Sequence, residues 1–340
     1  SNFMTMIRIR LFILLSFVFA GANAQQTVQQ LRETAIVFQR QSDYSNTMMV
    51  LAKALELEPA NLTLLKDVAF TYYLAGDSKR AADRILPLTE REDADVQVFQ
   101  ISGNIFKATE EYKQCDKVYK KGLKKFDASG PLFAEYGDLL WTQQKPAEAI
   151  TQWETGISVD PSYSGNYYHA SKFYFAAADK ARSLVYGEVF VNLESYSVRT
   201  AEIKILLLES YKRVFMPGDS KQHFIKPTTP FEQKFLEVMN KQSSLSLRGI
   251  TPETLLVIRS RFLLDWFNDS AGKYPFKLFE HLQYLMRGGM FEAYNQWLFG
   301  PATDASAFQN WTRTHEDQYL LFSNYQRNKL FRVPASQHYF

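Results

Sequence analysis

Residues 146–161 read PAEAITQWETGISVDP, and two earlier stretches share their pattern of small and bulky residues. One is MMVLAKALELEP at 48–59, and the other is KQCDKVYKKGLKKFD at 113–127. The stretches end at Pro59, Asp127 and Pro161, which fits one 34-residue period with a single copy missing between the first two. Self-similarity at a fixed period is the mark of a repeat architecture.

At the 34-residue spacing, the missing copy is expected to end at Asp93, shortly after the segment GDSKRAADRILPL at 76–88. The spacing therefore predicts four units without insertion, 28–61, 62–95, 96–129 and 130–163, with a degenerate fifth at 164–197. One helical pair cannot bury its apolar face alone, so such units must stack.

Small residues recur at two positions of each unit, with a bulky residue four positions after the second. The first small position holds Ala35, Ala69, Gly103 and Gly137. The second small position holds Thr47, Ala81, Cys115 and Ala149. The bulky position holds Leu51, Ile85, Tyr119 and Trp153. Small residues let two backbones approach closely while a bulky neighbour fills the remaining space.

In these residues the chain resembles the tetratricopeptide repeat family. The resemblance implies two antiparallel helices per unit, stacked into a right-handed solenoid. It extends over residues 28–161, with a departure at Leu88, where the second unit lacks the next small residue. The predicted fold is all-α: a helical-hairpin solenoid followed by an irregular, aromatic-rich helical region.

In this family, residues of the first helices line a groove for peptides. The matching positions here are Arg32, Ile36, Gln39, Lys66, Phe70, Tyr73, Asn104, Lys107, Asp138 and Trp141. Some members grip a C-terminal carboxylate with lysines and asparagines, of which only Lys66, Asn104 and Lys107 are present here. The resemblance therefore implies protein or peptide partners, held in an apolar or aromatic groove. We predict that Arg32, Lys66, Phe70, Tyr73, Asn104, Lys107 and Trp141 contact the partner.

Three segments are predicted: a leader at 1–24, a repeat array at 25–216 and a helical region at 217–340. Ser197 is an N-cap for a helix at 198–215 that is expected to cap the array. The prolines and glycine of 217–230 mark the boundary. Beyond it, helical patterns cover 231–240, 251–267, 276–287, 290–299 and 311–331, with Gly288 expected as the left-handed stop of a hairpin.

The first residues have the pattern of a secretory signal. Arg8 and Arg10 precede the ten apolar residues LFILLSFVFA, and Ala22-Asn23-Ala24 is a small-x-small cleavage site. Ten residues are too few for a membrane-spanning helix, which needs about 20. The pattern predicts export with cleavage after Ala24 and a periplasmic location, and residues 1–5 are a possible remnant before the start.

Composition narrows the function further. The 340 residues carry 39 basic and 36 acidic side chains, a net charge of +3 that does not favour a nucleic-acid partner. The single cysteine, Cys115, excludes an internal disulfide framework, and its place in the repeat indicates a buried packing residue. No metal, cofactor or catalytic motif is present, so no cofactor is expected.

Three hypotheses about function remain open from the sequence. The first is a non-enzymatic adaptor or scaffold, a periplasmic subunit of a larger secretion or outer-membrane assembly complex. The second is an enzyme with its site in 217–340, where Asp265, Glu280 and His281 could make an acid–base group. The third is a glycosylated eukaryotic luminal protein, suggested by sequons at Asn61, Asn268 and Asn310.

Overall fold

A computed structural model describes residues 27–216 and 228–340, and every regular element in these ranges is helical. The predicted leader at 1–24 and most of the proline-rich boundary at 217–230 lie outside the described residues. The described chain divides into two compact units, up to Asp127 and from Ala128 onward.

The first unit consists of three helical hairpins. Its helices are α1 (27–40), α2 (Tyr44–Leu57), α3 (Leu62–Leu74), α4 (Ser78–Ile85), α5 (Val96–Ala108) and α6 (Tyr112–Lys125). Pro87 follows α4, whose end passes into a 3-10 helix (Leu86–Glu90), and this is where the repeat pattern departs at Leu88.

The second unit begins with two more hairpins and one further repeat helix. These helices are α7 (Gly130–Thr142), α8 (Pro146–Val159), α9 (Ser164–Ala176), α10 (Arg182–Leu193) and α11 (Val198–Val214). First helices begin at 62, 96, 130, 164 and 198, which confirms the 34-residue spacing and extends it beyond the four predicted units. The degenerate fifth repeat is thus a complete hairpin, and α11 starts a sixth.

Each hairpin turns at one residue in the left-handed region, with φ between 59° and 79°. These residues are Ser42, Gly76, Glu110, Gln144 and Ala178, which keep the same spacing. In each turn the next backbone N–H donates to a carbonyl near the end of the preceding helix, as Asp77 does to Tyr72 at 2.9 Å. This is a Schellman motif, and it satisfies carbonyls that the end of a helix would otherwise leave unpaired.

The small and bulky positions of each hairpin touch directly. A Cβ added to Gly103 would lie 2.2 Å from the ring of Tyr119, and one added to Gly137 would lie 2.3 Å from Nε1 of Trp153. Where the bulky residue is only Leu51 or Ile85, the partner position carries alanine instead of glycine. The size of one side chain therefore sets the size allowed at the other.

The predicted packing residues are buried as the repeat pattern requires. Ala35, Ala69, Thr47, Ala81, Cys115 and Ala149 are at most 2% exposed. This confirms that Cys115 is a small core residue, and its thiol donates to the carbonyl of Gly103 at 3.3 Å.

The C-terminal helices of the second unit are α12 (Pro230–Asn240), α13 (Ser243–Ser246), α14 (Pro252–Asp269), α15 (Lys277–Arg287), α16 (Phe291–Thr303), α17 (Ala305–Thr314) and α18 (Glu316–Asn328). A 3-10 turn (Ala335–Gln337) follows. The predicted single helix at 311–331 is wrong, because the chain breaks at His315 into two helices.

The predicted stop at Gly288 is also off by one residue. Gly288 is still right-handed, with φ −85°, and Gly289 takes the left-handed conformation at φ 68°. Met290 then donates to the carbonyl of Leu285 at 2.8 Å, so this hairpin has the same turn as the repeats. It carries Leu282 and Tyr294 on the facing helices, where repeats carry small residues.

Most aromatic side chains after residue 228 form a core. Phe231 packs against Trp266, Phe276 and Tyr339 with ring centroids 4.8–5.5 Å apart, and Phe262 and Phe279 extend the cluster. All of these except Tyr339 are at most 5% exposed. The concentration of aromatic residues is therefore mainly a packing feature of this unit.

Two buried arginines tie the fifth hairpin to the C-terminal helices. Arg259 of α14 pairs with Glu188 of α10 and donates to Asn295 of α16 at 3.0 Å. Arg182 of α10 pairs with Asp179 at 3.0 Å and with Glu232 of α12 at 3.2 Å. In the same unit, α11 packs on α9 and α10 and is itself covered by α16.

The contact between Gly137 and Trp153 leads us to predict how a side chain at position 137 changes the free energy of unfolding. Gly137→Ala should lower the free energy of unfolding by about 1–3 kcal/mol, because the new methyl group overlaps the indole. In a Trp153→Leu background, where the bulky residue is the one that the first repeat uses, the same change should cost less than about 0.5 kcal/mol.

Urea unfolding followed by circular dichroism measures both changes. Gly272→Ala is the matched control, since nothing lies within 4 Å of a Cβ built there. If Gly137→Ala lowers the free energy of unfolding equally in the two backgrounds, the Trp153 side chain is not the reason that position 137 requires glycine.

Candidate partner-binding groove

The predicted groove residues of the first unit do not all face solvent. The side chain of Lys66 is 6% exposed and binds the carboxylate of Asp95 and, at 2.8 Å, Oε1 of Gln97. Arg32 pairs with Asp67 at 2.6 Å. Both cations therefore join consecutive repeats, and neither is a simple ligand-gripping charge.

An aromatic pair remains available on the same set of helices. Phe70 and Tyr73 stack with ring centroids 6.0 Å apart, and both side chains are half-buried. Asn104 and Lys107 on α5 are also half-buried. This part of the groove offers ring faces and an amide to a partner.

In the second unit, Trp141 is the most exposed of the predicted groove residues. It is 47% exposed, and its ring lies 6.1 Å from Phe173 and 6.2 Å from Trp153. Trp153 is buried and stacks on His169 at 5.0 Å. Trp141 is thus held by aromatic neighbours with about half of its surface open to solvent.

The structure adds groove residues that the sequence mapping did not include. At the 34-residue spacing, Phe175 of α9 corresponds to Trp141, and Lys172 of α9 corresponds to Asp138. Tyr168 of α9 and Glu202 of α11 fall in the register of Lys66. Continuing the 34-residue count into the fifth and sixth repeats would have found them. The sequence prediction stops at Trp141, because the fifth and sixth repeats no longer carry the residues by which the family is recognised.

Tyr168, Lys172 and Glu202 form one charged and aromatic group. Lys172 pairs with Glu202 at 2.6 Å, and the hydroxyl of Tyr168 donates to the same carboxylate at 2.5 Å. Lys172 and Arg199 lie 4.7 and 4.9 Å from the centre of the Tyr168 ring. Burial and the hydrogen bond to Glu202 raise the pKa of Tyr168, so its hydroxyl remains a donor.

We call this face of the second unit, defined by Trp141, Tyr168, Lys172, Phe175 and Glu202, the aromatic groove. Trp141 leaves about half of its surface open, whereas Arg213 lies 3.7 Å from the centre of the Phe175 ring and two cations lie over the Tyr168 ring. Lys172 and Glu202 are oppositely charged and more than 40% exposed. Aromatic surfaces with paired charges suit a polypeptide, which presents apolar side chains along a polar backbone.

The residues considered for acid–base chemistry bind other partners. Asp265 accepts from Gln242 at 2.7 Å, and Glu280 is exposed near Lys277. His281 is buried among Tyr294, Tyr325 and Phe331. Burial lowers the pKa of His281 to about 3, with smaller contributions from Lys329 and Lys277.

In 27–216 and 228–340, no three His, Cys, Asp or Glu side chains are grouped to hold a metal ion. None of the helices in the same ranges is both long and apolar enough to cross a bilayer.

Comparison with known proteins gives similarity only to solved structures. Neither a family model nor a curated protein matches the chain. Pseudomonas aeruginosa pilF is 12% identical, with a TM-score of 0.47 over 56% of this chain and 87% of that one. Thermus thermophilus TTC0263, a TPR protein, is 11% identical, with a TM-score of 0.43 over 56% of this chain and 100% of that one. YrrB, described as a TPR protein with an unusual peptide-binding site, is 15% identical, with a TM-score of 0.37 over 55% and 97%.

The buried state of His281 predicts a pH dependence of stability. Its folded pKa of about 3 lies below the unfolded value near 6.5, so the unfolded chain binds more protons between these limits. The contribution of His281 to the free energy of unfolding is fully present above pH 6.5. It falls by roughly 1.4 kcal/mol per pH unit as the pH drops from there towards 3.

Urea unfolding of His281→Asn at pH 7, 6, 5 and 4 should show a weaker loss of stability on acidification than the unaltered chain. His315→Asn is the control, because His315 is exposed. Parallel pH profiles for His281→Asn and the unaltered chain would mean that His281 is not a buried neutral side chain.

Proposed function

We propose that this chain is a non-enzymatic adaptor that binds a polypeptide partner. Its five hairpins of constant spacing have the architecture of a tetratricopeptide-repeat protein. The observation that carries the proposal is the aromatic groove. Trp141 is held by the buried rings of Trp153 and Phe173 yet is 47% exposed. The Lys172–Glu202 pair lies on the next two first helices of the same unit. A tryptophan fixed in this way loses little side-chain entropy on binding, which is a property of interface hot spots.

The fold supports an adaptor in a second way. Stacked helical hairpins present an extended surface whose residues recur at constant spacing. In the second unit, α7, α9 and α11 each contribute side chains to the aromatic groove, so one bound segment can contact three repeats. Such a surface suits a peptide that is bound in extended or helical form.

We further propose that the adaptor works in the cell envelope, as a periplasmic subunit of a secretion or outer-membrane assembly complex. The support is the sequence of residues 6–24, with two arginines, an apolar run and a small-x-small site. The groove would then hold one subunit of the complex while the remaining surface contacts another.

Substitution of the exposed tryptophan tests the adaptor proposal. Trp141→Ala should weaken capture of the partner from envelope extract at least tenfold, as expected for loss of a hot spot of about 1.4 kcal/mol or more. Far-ultraviolet circular dichroism should be unchanged, since Trp141 lies at the surface. Tyr73→Ala tests the aromatic pair of the first unit in the same way.

Trp311→Ala on α17 is the control, a half-buried tryptophan outside the groove. It should leave capture unchanged. If Trp141→Ala and Tyr73→Ala both capture the partner as well as the unaltered chain, the partner does not bind in the groove. Recovery of no stoichiometric partner would also refute the adaptor proposal.

Maturation of the chain tests the envelope proposal. When the full chain is expressed in a Gram-negative bacterium, N-terminal sequencing should begin at Gln25, and the protein should be released with the periplasmic fraction. Ala24→Tyr should block cleavage, because the signal peptidase site requires a small residue there. An intact N-terminus in the cytosolic fraction would contradict export and leave the groove proposal standing.

A further inference from the structure

Lys204 of α11 lies in a cleft away from the aromatic groove. Its Nζ is 3.6 Å from the ring centre of Trp297 on α16, so the ammonium group sits on the indole face. Trp297 is 4% exposed and is fixed by Tyr294 and Phe322. The two residues form the floor of a cleft of about 330 Å³.

The charge of Lys204 is not matched by any acid in the described ranges. The other lysine of α11, Lys212, is paired with Glu209 at 2.6 Å. No carboxylate of residues 27–216 or 228–340 forms an ion pair with Lys204. Burial alone lowers the pKa of Lys204 to about 7, which means that the site lacks an anion to offset the lost hydration.

The walls of the cleft are apolar. They consist of Tyr196, Ala201, Ile205, Pro301 and Ala302. Two hydroxyls at the rim are already used, because Ser195 donates to the carbonyl of Val191 and Thr200 to that of Glu194. Among the described residues that line the cleft, Lys204 supplies the cation, and the hydroxyl of Tyr196, which contacts Arg327, is a second, neutral donor. A phosphate group needs several donors, whereas one carboxylate is matched by one ammonium group.

The apolar surface continues beyond the cleft. Tyr196 is 58% exposed and Ile205 is 55% exposed, and Val198 on the same helix as Ile205 is 90% exposed. This surface is wider than a small carboxylate would cover, and it would contact the residues that flank an acidic side chain in a polypeptide.

We propose that the cleft between α11 and α16 binds an acidic side chain of a partner protein, flanked by apolar residues, with the carboxylate on Lys204. The partner's apolar residues would lie on Tyr196 and Ile205. This site is separate from the aromatic groove and does not depend on it, so each can fail without the other.

Two blocked peptides provide the direct test on the chain from Gln25 onward. One is acetyl-Ser-Leu-Glu-Leu-Ser amide, and the other has Gln in place of Glu. Calorimetric titration at pH 6.5 should show binding of the Glu peptide, with at least tenfold weaker binding of the Gln peptide. Lys204→Met, which keeps the length and apolar stem of the side chain, should abolish the difference between the peptides.

Lys212→Met on the same helix is the matched control and should bind like the unaltered chain. Chemical protection gives a second readout: the Glu peptide should slow acetylation of Lys204 by acetic anhydride at pH 8, with acetylation of Lys212 unchanged.

The pH profile should follow the charge of Lys204. The titratable side chains that line the cleft are Lys204 and Tyr196, and Arg327 of α18 contacts Tyr196. Glu194, at the adjoining turn, is bound to Ser197 and Arg199. Affinity for the Glu peptide should fall roughly tenfold or more between pH 6 and pH 8.5, since only charged Lys204 attracts the carboxylate.

Several results would overturn the proposal. Equal binding of the Glu and Gln peptides, failure of both to bind, or unchanged binding by Lys204→Met would each show that the cleft does not take a carboxylate. Hexanoate that binds as tightly as the Glu peptide would show that the site serves a small carboxylate and not a protein segment.

Discussion

The contact between one small and one bulky residue in each hairpin is the constraint on which the rest of the structure depends. Gly137 must lack a side chain because the indole of Trp153 occupies its space. That contact sets the distance between two antiparallel helices, and the left-handed turn at Gln144 sets their direction. Because both features recur at the 34-residue period, each repeat within a compact unit presents its first helix to the next in the same way.

The groove follows from that repetition. Equivalent positions on successive first helices lie side by side, so side chains about one period apart meet, as Tyr168 and Glu202 or Arg32 and Asp67 do. Contacts of this kind occupy side chains that the family pattern assigns to ligand binding. Lys66 is the clearest case, since it forms an ion pair with Asp95 within the protein.

The end of the array is closed by a different kind of contact. Arg182 and Arg259 are buried with Glu232 and Glu188 as partners, and burial with the charge of Asp179 raises the pKa of Glu232. Buried ion pairs contribute little net stability, but breaking one leaves an uncompensated charge, so they favour a single arrangement of helices. The aromatic core around Phe231 and Trp266 adds apolar burial beside the fifth hairpin, where Phe340 contacts both Phe231 and Tyr186 of α10.

The helical hairpins, their spacing and their packing residues could be predicted from the sequence by itself, because the constraint is local and repeats at a fixed interval. The pattern also located most C-terminal helices, through caps such as Thr251. It misplaced the stop at Gly288, since two adjacent glycines are equally able to take a left-handed conformation and only the hydrogen bonds of the turn choose between them. Whether a groove lysine is free or paired depended on contacts between repeats, as with Lys66 and Asp95. The cleft at Lys204 and Trp297 was decided only by the tertiary structure, because it joins two helices that are distant in the chain and whose approach follows no repeat.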